Sequence, residues 1–131
     1  KTQSKQLTAE DKKMIAGLDK EAKAGKNGEA DVKVGLAYLG LGDYRKAVEA
    51  TQRGLQADRV GKVKRVDDAW MQLGIAQMEL GNRAEAAKAF QEAAKDPRMA
   101  KAADLWLKLQ ATDAAPAAAA EPAAPAPGAG G

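Results

Sequence analysis

Two stretches of the sequence can be laid over each other, GLAYLGLGDYRKAVEATQRGL from Gly35 to Leu55 and GIAQMELGNRAEAAKAFQEAA from Gly74 to Ala94. Identical positions in this overlay include Gly35 with Gly74, Ala37 with Ala76, Leu41 with Leu80, Gly42 with Gly81 and Ala47 with Ala86. Small residues let two antiparallel helices approach closely, and a glycine after the leucine permits a tight reversal of the chain. The sequence therefore predicts a helical hairpin that occurs twice.

The rest of the chain also has helical spacing of its apolar residues, and no strand-length stretch alternates β-branched residues. We predict helices at about residues 8–24, 29–41, 44–57, 67–80, 83–95 and 98–110. The first begins near Thr8, and Asp43 is the predicted N-cap of the third. The fold class is therefore all-α.

The 131 residues are enough for one domain. Residues 113–131 hold all but one of the prolines and almost no charge, and such an Ala/Pro tract cannot form a core. The predicted organisation is a flexible N-terminus at 1–7, a helical domain at 8–112 and a disordered tail at 113–131. Within the domain, two repeats at about 28–61 and 67–97 lie between capping helices at about 8–24 and 98–110.

The second copy resembles the tetratricopeptide repeat. The positions that carry the resemblance are Trp70, Leu73, Gly74, Ala76, Leu80, Gly81, Ala86, Phe90, Ala93 and Pro97. The first copy departs from the motif, with Asp31 in place of the Trp, and Thr51 and Gly54 in place of an aromatic residue and Ala. The spacing from Gly35 to Gly74 is 74 − 35 = 39 residues, against about 34 in a regular array, so about five residues are inserted near 62–66.

The resemblance implies a short right-handed α-solenoid of stacked hairpins, in which Trp70 and Phe90 are packing residues. It also implies a concave groove, lined by the first helix of each hairpin, in which a partner peptide or helix lies. The apolar side chains predicted on that face are Val32, Leu36, Leu39, Met71, Ile75 and Met78. These six residues have a second interpretation, as core side chains covered by other parts of the protein.

The chain has no cysteine and no histidine, which removes the thiolate nucleophile and the commonest general base and metal ligand. No nucleophile stands next to a base, so we predict a protein that is not an enzyme and needs no cofactor or metal. No apolar run approaches the length of a membrane span. The function that the resemblance implies is binding of another protein or peptide.

Two alternatives stay open. One is a purely structural role, as the C-terminal segment of a longer superhelix. The other is binding of nucleic acid or of an acidic protein surface through a basic loop made of Arg59, Lys62, Lys64 and Arg65. The formal net charge of +3 is a weak bias for nucleic-acid binding, and the loop has no aromatic residue for stacking on bases.

The first residue is Lys1 rather than Met, which indicates a mature or trimmed piece of a longer product. The order of a lone helix, two repeats and a terminal helix is similar to the C-terminal end of larger bacterial tetratricopeptide proteins, many of them exported. That similarity implies a periplasmic location, with the cytoplasm as the alternative.

Overall fold

The computed structural model describes residues 9–111, and every regular element in that part of the chain is helical. The helices are α1 (Ala9–Gly25), α2 (Gly28–Leu41), α3 (Tyr44–Gly54), α4 (Val66–Glu79), α5 (Arg83–Ala94) and α6 (Ala100–Gln110), with a 3-10 turn at Val60–Lys62. The predicted all-α class is confirmed. The predicted cap at Thr8 and the predicted segments 1–7 and 113–131 lie outside the described residues.

Both predicted hairpins are present, because α2 packs against α3 and α4 packs against α5. The chain reverses at Gly42 and Gly81, whose φ angles are 82° and 85°. In this left-handed conformation a side chain would crowd the following carbonyl, so glycine is favoured. The N–H of Gly42 donates to the Leu39 carbonyl at 3.0 Å, and the N–H of Gly81 donates to the Met78 carbonyl at 3.0 Å. These bonds satisfy carbonyl groups that the helix ends would otherwise leave free.

The starts of α2 and α3 are set by side-chain caps. The Asp43 carboxylate accepts from the Lys46 N–H at 3.2 Å, which confirms the predicted N-cap of α3. Asn27 caps α2 in the same way, since its Oδ1 accepts from the Glu29 N–H at 2.9 Å. The predicted bounds place a break between the first two helices at residues 25–28, but the capping role of Asn27 was not predicted.

Two helix bounds differ by two residues or more from the predicted ones, because tight turns replace helical hydrogen bonds there. Helix α3 ends at Gly54 rather than near Ala57, since the Arg59 N–H donates to the Gln56 carbonyl at 2.9 Å. Helix α6 begins at Ala100 rather than near residue 98, since the Met99 N–H donates to the Asp96 carbonyl at 2.9 Å.

The chain forms two compact units, with the boundary between Lys64 and Arg65, where the sequence predicted one domain. The first unit contains α1, α2, α3 and the 3-10 turn, and the second contains α4, α5 and α6. Buried apolar residues of the first unit are Ala22, Val34, Tyr38, Ala47, Val48, Ala50 and Val63. The buried cluster of the second unit is Met71, Met78, Ala86, Phe90, Ala93 and Ala103.

Helices α2 and α3 meet through two glycines. A Cβ added at Gly54 would lie 2.7 Å from the carbonyl oxygen of Gly28 and 3.0 Å from Cβ of Asp31. A Cβ added at Gly28 would lie 2.6 Å from the carbonyl oxygen of Gly54. Both contacts involve backbone, which cannot move aside as a flexible side chain can. The departure of Gly54 from the repeat motif therefore has a steric reason.

We expect Gly54→Ala to destabilise the first unit, although it restores the alanine of the motif. Changes toward a family consensus and replacement of helical glycine by alanine are usually stabilising, but here overpacking should cost about 2 kcal/mol. Urea unfolding followed by tyrosine fluorescence measures the change, because Tyr38 and Tyr44 are the only tyrosines of the chain. Gly17→Ala is the matched control, since a Cβ at Gly17 meets nothing within 4 Å. A Gly54→Ala variant as stable as Gly17→Ala would contradict the steric argument.

Candidate functional site

The second unit is built around the aromatic residues of the motif. Phe90 is fully buried, and its ring stacks on that of Trp106 with centroids 5.9 Å apart. Gly74 faces this ring, because a Cβ at that position would lie 2.6 Å from Cδ1 of Phe90. Trp70 is half-buried and packs against the same cluster. The predicted packing role of Trp70 and Phe90 is therefore confirmed.

The predicted groove residues of the second unit lie mostly inside it. Met71 and Met78 are only 8% and 6% exposed, and both belong to the buried cluster. Ile75, between them on the same face of α4, is half-buried and packs against that cluster. On this helix the stripe serves largely as core.

The predicted groove residues of the first unit have a different environment. Leu36, in the middle of α2, is 57% exposed. Val32 and Leu39 are half-buried and flank it on the same face of α2. The apolar face of α2 therefore consists of one exposed leucine between two partly covered side chains.

The position that departs most from the motif, Asp31, has no solvent exposure. Its carboxylate accepts from Nε of Arg53 at 2.7 Å and from Nη1 of Arg59 at 2.8 Å. Burying a carboxylate costs several kcal/mol unless it is paired and hydrogen-bonded, and two guanidinium groups provide that pairing. Asp31 corresponds to Trp70 in the overlay, so the first unit has an ion network where the second has an aromatic core.

The same arginines hold α1 onto the first hairpin. Arg53 Nη2 donates to Oδ1 of Asp19 at 2.6 Å, and the Tyr38 hydroxyl donates to Oδ2 of Asp19 at 3.3 Å. Arg59 donates to the carbonyl oxygens of Ala22 and Lys23 at 3.3 and 2.9 Å, near the C-terminal end of α1. Such a cation satisfies carbonyl groups that the helix end leaves free and opposes the negative end of its dipole.

Arg53 and Tyr38, two members of this network, have shifted pKa values. Burial lowers the pKa of Arg53, but its hydrogen bonds to Asp31 and Asp19 outweigh burial and raise that pKa above its ordinary value. Burial, followed by the charge of Asp19, raises the pKa of the Tyr38 hydroxyl. Arg53 therefore stays charged and Tyr38 stays neutral at any physiological pH. We call the group Asp19, Asp31, Tyr38, Arg53 and Arg59 the buried ion network.

The four residues of the predicted basic loop have separate roles. Arg59 belongs to the buried ion network, with only 11% of its side chain exposed. Arg65 lies in the second unit and pairs with Asp67 at 2.7 Å. Lys62 and Lys64 remain exposed, and the backbone N–H of Lys64 donates to Glu29 at 3.0 Å. Two of the four cations are therefore occupied by carboxylates of the same unit.

A second set of ion pairs joins the start of α4 to the turn before α6. Asp67 is buried, and its hydrogen bond from Arg65 lowers its pKa despite the opposing effect of burial. Arg98 approaches Asp67 at 3.9 Å and pairs with Asp96 at 2.9 Å. Hydrogen bonds from the Arg98 side chain and N–H lower the pKa of Asp96 from 3.8 to about 2.

These lowered pKa values predict acid sensitivity of the second unit. A carboxyl whose pKa is lower in the folded state stabilises that state above its ordinary pKa of 3.8, and the stabilisation is lost as pH falls to about 2. We expect the urea midpoint, followed by tryptophan fluorescence, to fall over this range and to fall less steeply in Asp96→Asn. An equally steep fall in that variant would show that Asp96 does not contribute.

Among residues 9–111, no helix is long and apolar enough to cross a bilayer. The same residues contain no group of three or more carboxylates placed to hold a metal ion.

Comparison with protein families supports the repeat assignment for both units. A tetratricopeptide repeat model matches residues 32–60 in the first unit, and another matches residues 67–95 in the second. The chain gave no match among curated proteins. Tetratricopeptide repeats generally mediate protein–protein interactions and are typically non-catalytic. The two matches, together with the hairpins that reverse at Gly42 and Gly81, identify residues 32–60 and 67–95 as two tetratricopeptide repeats.

Proposed function

We propose that this chain is a non-catalytic binding module whose partner polypeptide contacts the exposed face of α2 at Leu36. The observation that carries the proposal is the 57% exposure of Leu36 on a helix whose other large apolar side chains are buried or half-buried. An exposed leucine between Val32 and Leu39 offers an apolar anchor that a partner can cover, and burial of one such side chain contributes about 2 kcal/mol.

The burial of the groove residues in the second unit favours the alternative of a purely structural role. Met71 and Met78 are buried, so their part of the predicted groove contributes to folding and offers little surface to a partner. Ile75 is half-buried and can take part in either role. We therefore centre the binding proposal on α2 and treat Ile75 as secondary.

The basic loop is a weaker candidate for binding nucleic acid or an acidic surface. Arg59 and Arg65 pair with carboxylates of their own units, which leaves the exposed Lys62 and Lys64. Nucleic-acid binding through these lysines predicts an affinity that falls steeply with salt. Filter binding at two ionic strengths tests this alternative.

The test of the main proposal compares wild type with Leu36→Asp in a pull-down from an extract of the source organism, with quantified recovery of bound proteins. An exposed position tolerates aspartate, and circular dichroism checks that the variant remains folded. Glu49→Gln, on an exposed position of α3, is the control. We expect at least one protein to be recovered by wild type and control and depleted with Leu36→Asp. Equal recovery with all three baits would exclude the α2 face. The periplasmic location remains a proposal, which fractionation of the source cells tests.

A further inference from the structure

A groove runs between α1 and α2 in the first unit. It has a volume of about 410 Å³. Its apolar lining is Ile15, Leu18 and Ala22 from α1, and Ala30, Val34 and Ala37 from α2. The alanines on the α2 wall leave room that larger side chains would fill. The groove is therefore wide enough to admit side chains from outside.

Helix α1 exposes its largest apolar side chains beside this groove. Met14 and Leu18 are 60% and 48% exposed and lie one helical turn apart, and Leu18 also lines the groove. Ala22 is the only buried residue of α1. Much of the attachment of this helix comes from Asp19, which accepts from Arg53, and from the carbonyl oxygens to which Arg59 donates. Helix α1 is thus held by polar contacts while its apolar edge remains uncovered. Exposed apolar edges of grooves are typical of interaction sites.

The two walls carry opposite charges. Glu21 lines the α1 side and Lys33 lines the α2 side, and both are exposed. Lys33 is 3.9 Å from Glu29, a loose pair that leaves its ammonium group available. At about 100° per residue, Lys13 and Lys20 lie on the side of α1 opposite Leu18. The groove therefore has one acidic wall and one basic wall, which favours a ligand with the reverse charges.

We propose that this groove binds an amphipathic helix of another protein. Aliphatic side chains one turn apart on that helix insert between α1 and α2, as ridges pack into the groove between two helices. Basic residues on one flank face Glu21, and acidic residues on the other flank face Lys33. This site is separate from the Leu36 face of the proposed function.

A second copy of the chain fits the groove less well. A second copy would have to place the stripe of Met14 and Leu18 on its own α1 against the groove. Glu10 and Glu21 border that stripe, since they lie 11 residues apart and so on nearly the same side of the helix. Self-pairing would bring these carboxylates together and be opposed by like-charge repulsion.

The test uses the full chain and a labelled synthetic helical peptide, with leucines one turn apart, lysines on one flank and glutamates on the other. Fluorescence anisotropy compares it with a peptide that has lysines on both flanks, with one that has glutamates on both flanks, and with one whose leucines are alanines. These comparisons do not depend on the direction in which the peptide lies in the groove. We expect wild type to bind the mixed-charge peptide about fivefold more tightly than either single-charge peptide, and the alanine peptide at least tenfold more weakly. Glu21→Lys, at an exposed position, should make the all-glutamate peptide the tightest ligand.

Leu36→Asp should leave peptide binding unchanged, which separates this site from the proposed function. Several outcomes would overturn the proposal: no binding of the mixed-charge peptide, equal binding of the three leucine peptides, or an unchanged preference in Glu21→Lys. Loss of peptide binding in Leu36→Asp would place the peptide on the other face of α2. A concentration-dependent dimer that is abolished by Leu18→Glu would identify a second copy as the occupant.

Discussion

Replacing Asp31 by alanine should lower the free energy of unfolding of the first unit by about 3–5 kcal/mol, the usual cost of leaving a buried charge without its partner. Arg53 and Arg59 both donate to this carboxylate, and only 15% and 11% of their side chains are exposed. Water therefore cannot fully replace the hydrogen bond to Asp31 that each guanidinium group loses. Arg59 would also hold α1 less firmly, since the same side chain reaches the Ala22 and Lys23 carbonyls.

Urea unfolding followed by tyrosine fluorescence measures the effect on this unit. Asp31→Asn is a second variant that keeps the volume and one acceptor, and we expect it to lie between Asp31→Ala and wild type. Glu49→Ala removes an exposed carboxylate from the same unit and should change stability by less than about 0.5 kcal/mol. An Asp31→Ala variant as stable as Glu49→Ala would mean that the buried ion network does not stabilise the fold.

Replacing Phe90 by alanine should destabilise the second unit by about 3–5 kcal/mol. Its ring is fully buried, faces Gly74 and stacks on Trp106. The small residues around it, Ala86 and Ala93, have no longer side chains with which to fill the cavity. Relaxation around the deleted ring would therefore be slight.

Tryptophan fluorescence reports on this unit alone, because Trp70 and Trp106 are the two tryptophans of the chain and both lie in it. Phe90→Leu is the conservative variant, and it should lose less than half as much stability. Gln91→Ala, at the next and exposed position, is the surface control. Equal unfolding midpoints for Phe90→Ala and Gln91→Ala would contradict the packing described for α4, α5 and α6.

The two units contain the same helical hairpin but are stabilised by different interactions. The second unit keeps the aromatic residues of the motif and is stabilised mainly by apolar burial. The first has Asp31 and Thr51 at the equivalent positions, both fully buried, and joins its helices through charges. An ion network depends on geometry, so substitution of Asp31, Arg53 or Arg59 removes an ion-pair partner from at least one other member. We therefore expect the first unit to tolerate substitution at these positions less well than its small apolar core would indicate.

Much of the fold was predictable because its determinants are local. The glycines at 42 and 81 and the cap at Asp43 act on their own turns, and the structure confirms each of them. The buried ion network was not predicted, because it joins residues as distant in sequence as Asp19 and Arg53. A charged residue at a position where the motif has Trp was the available signal, and sequence analysis treated it only as a weak match. Arg59 was consequently assigned to the basic loop.

The sequence also did not show which residues of the apolar stripe are covered and which are exposed. Leu36 and Ile75 occupy equivalent positions in the overlay, as do Leu39 and Met78, so periodicity predicts the same environment for both units. In the second unit the cluster formed with α5 and α6 covers Met78, whereas Leu36 remains 57% exposed.

By itself the sequence determined the helices, the two reversals and the repeat family, because backbone conformation at a glycine or a cap depends on residues a few positions away. Only the tertiary structure decided which apolar side chains remain accessible to a partner, and that Asp31 is paired rather than exposed. Burial and ion pairing depend on which distant segments meet in the folded chain. That property does not follow from local spacing, and it is the one on which the proposed binding surfaces depend.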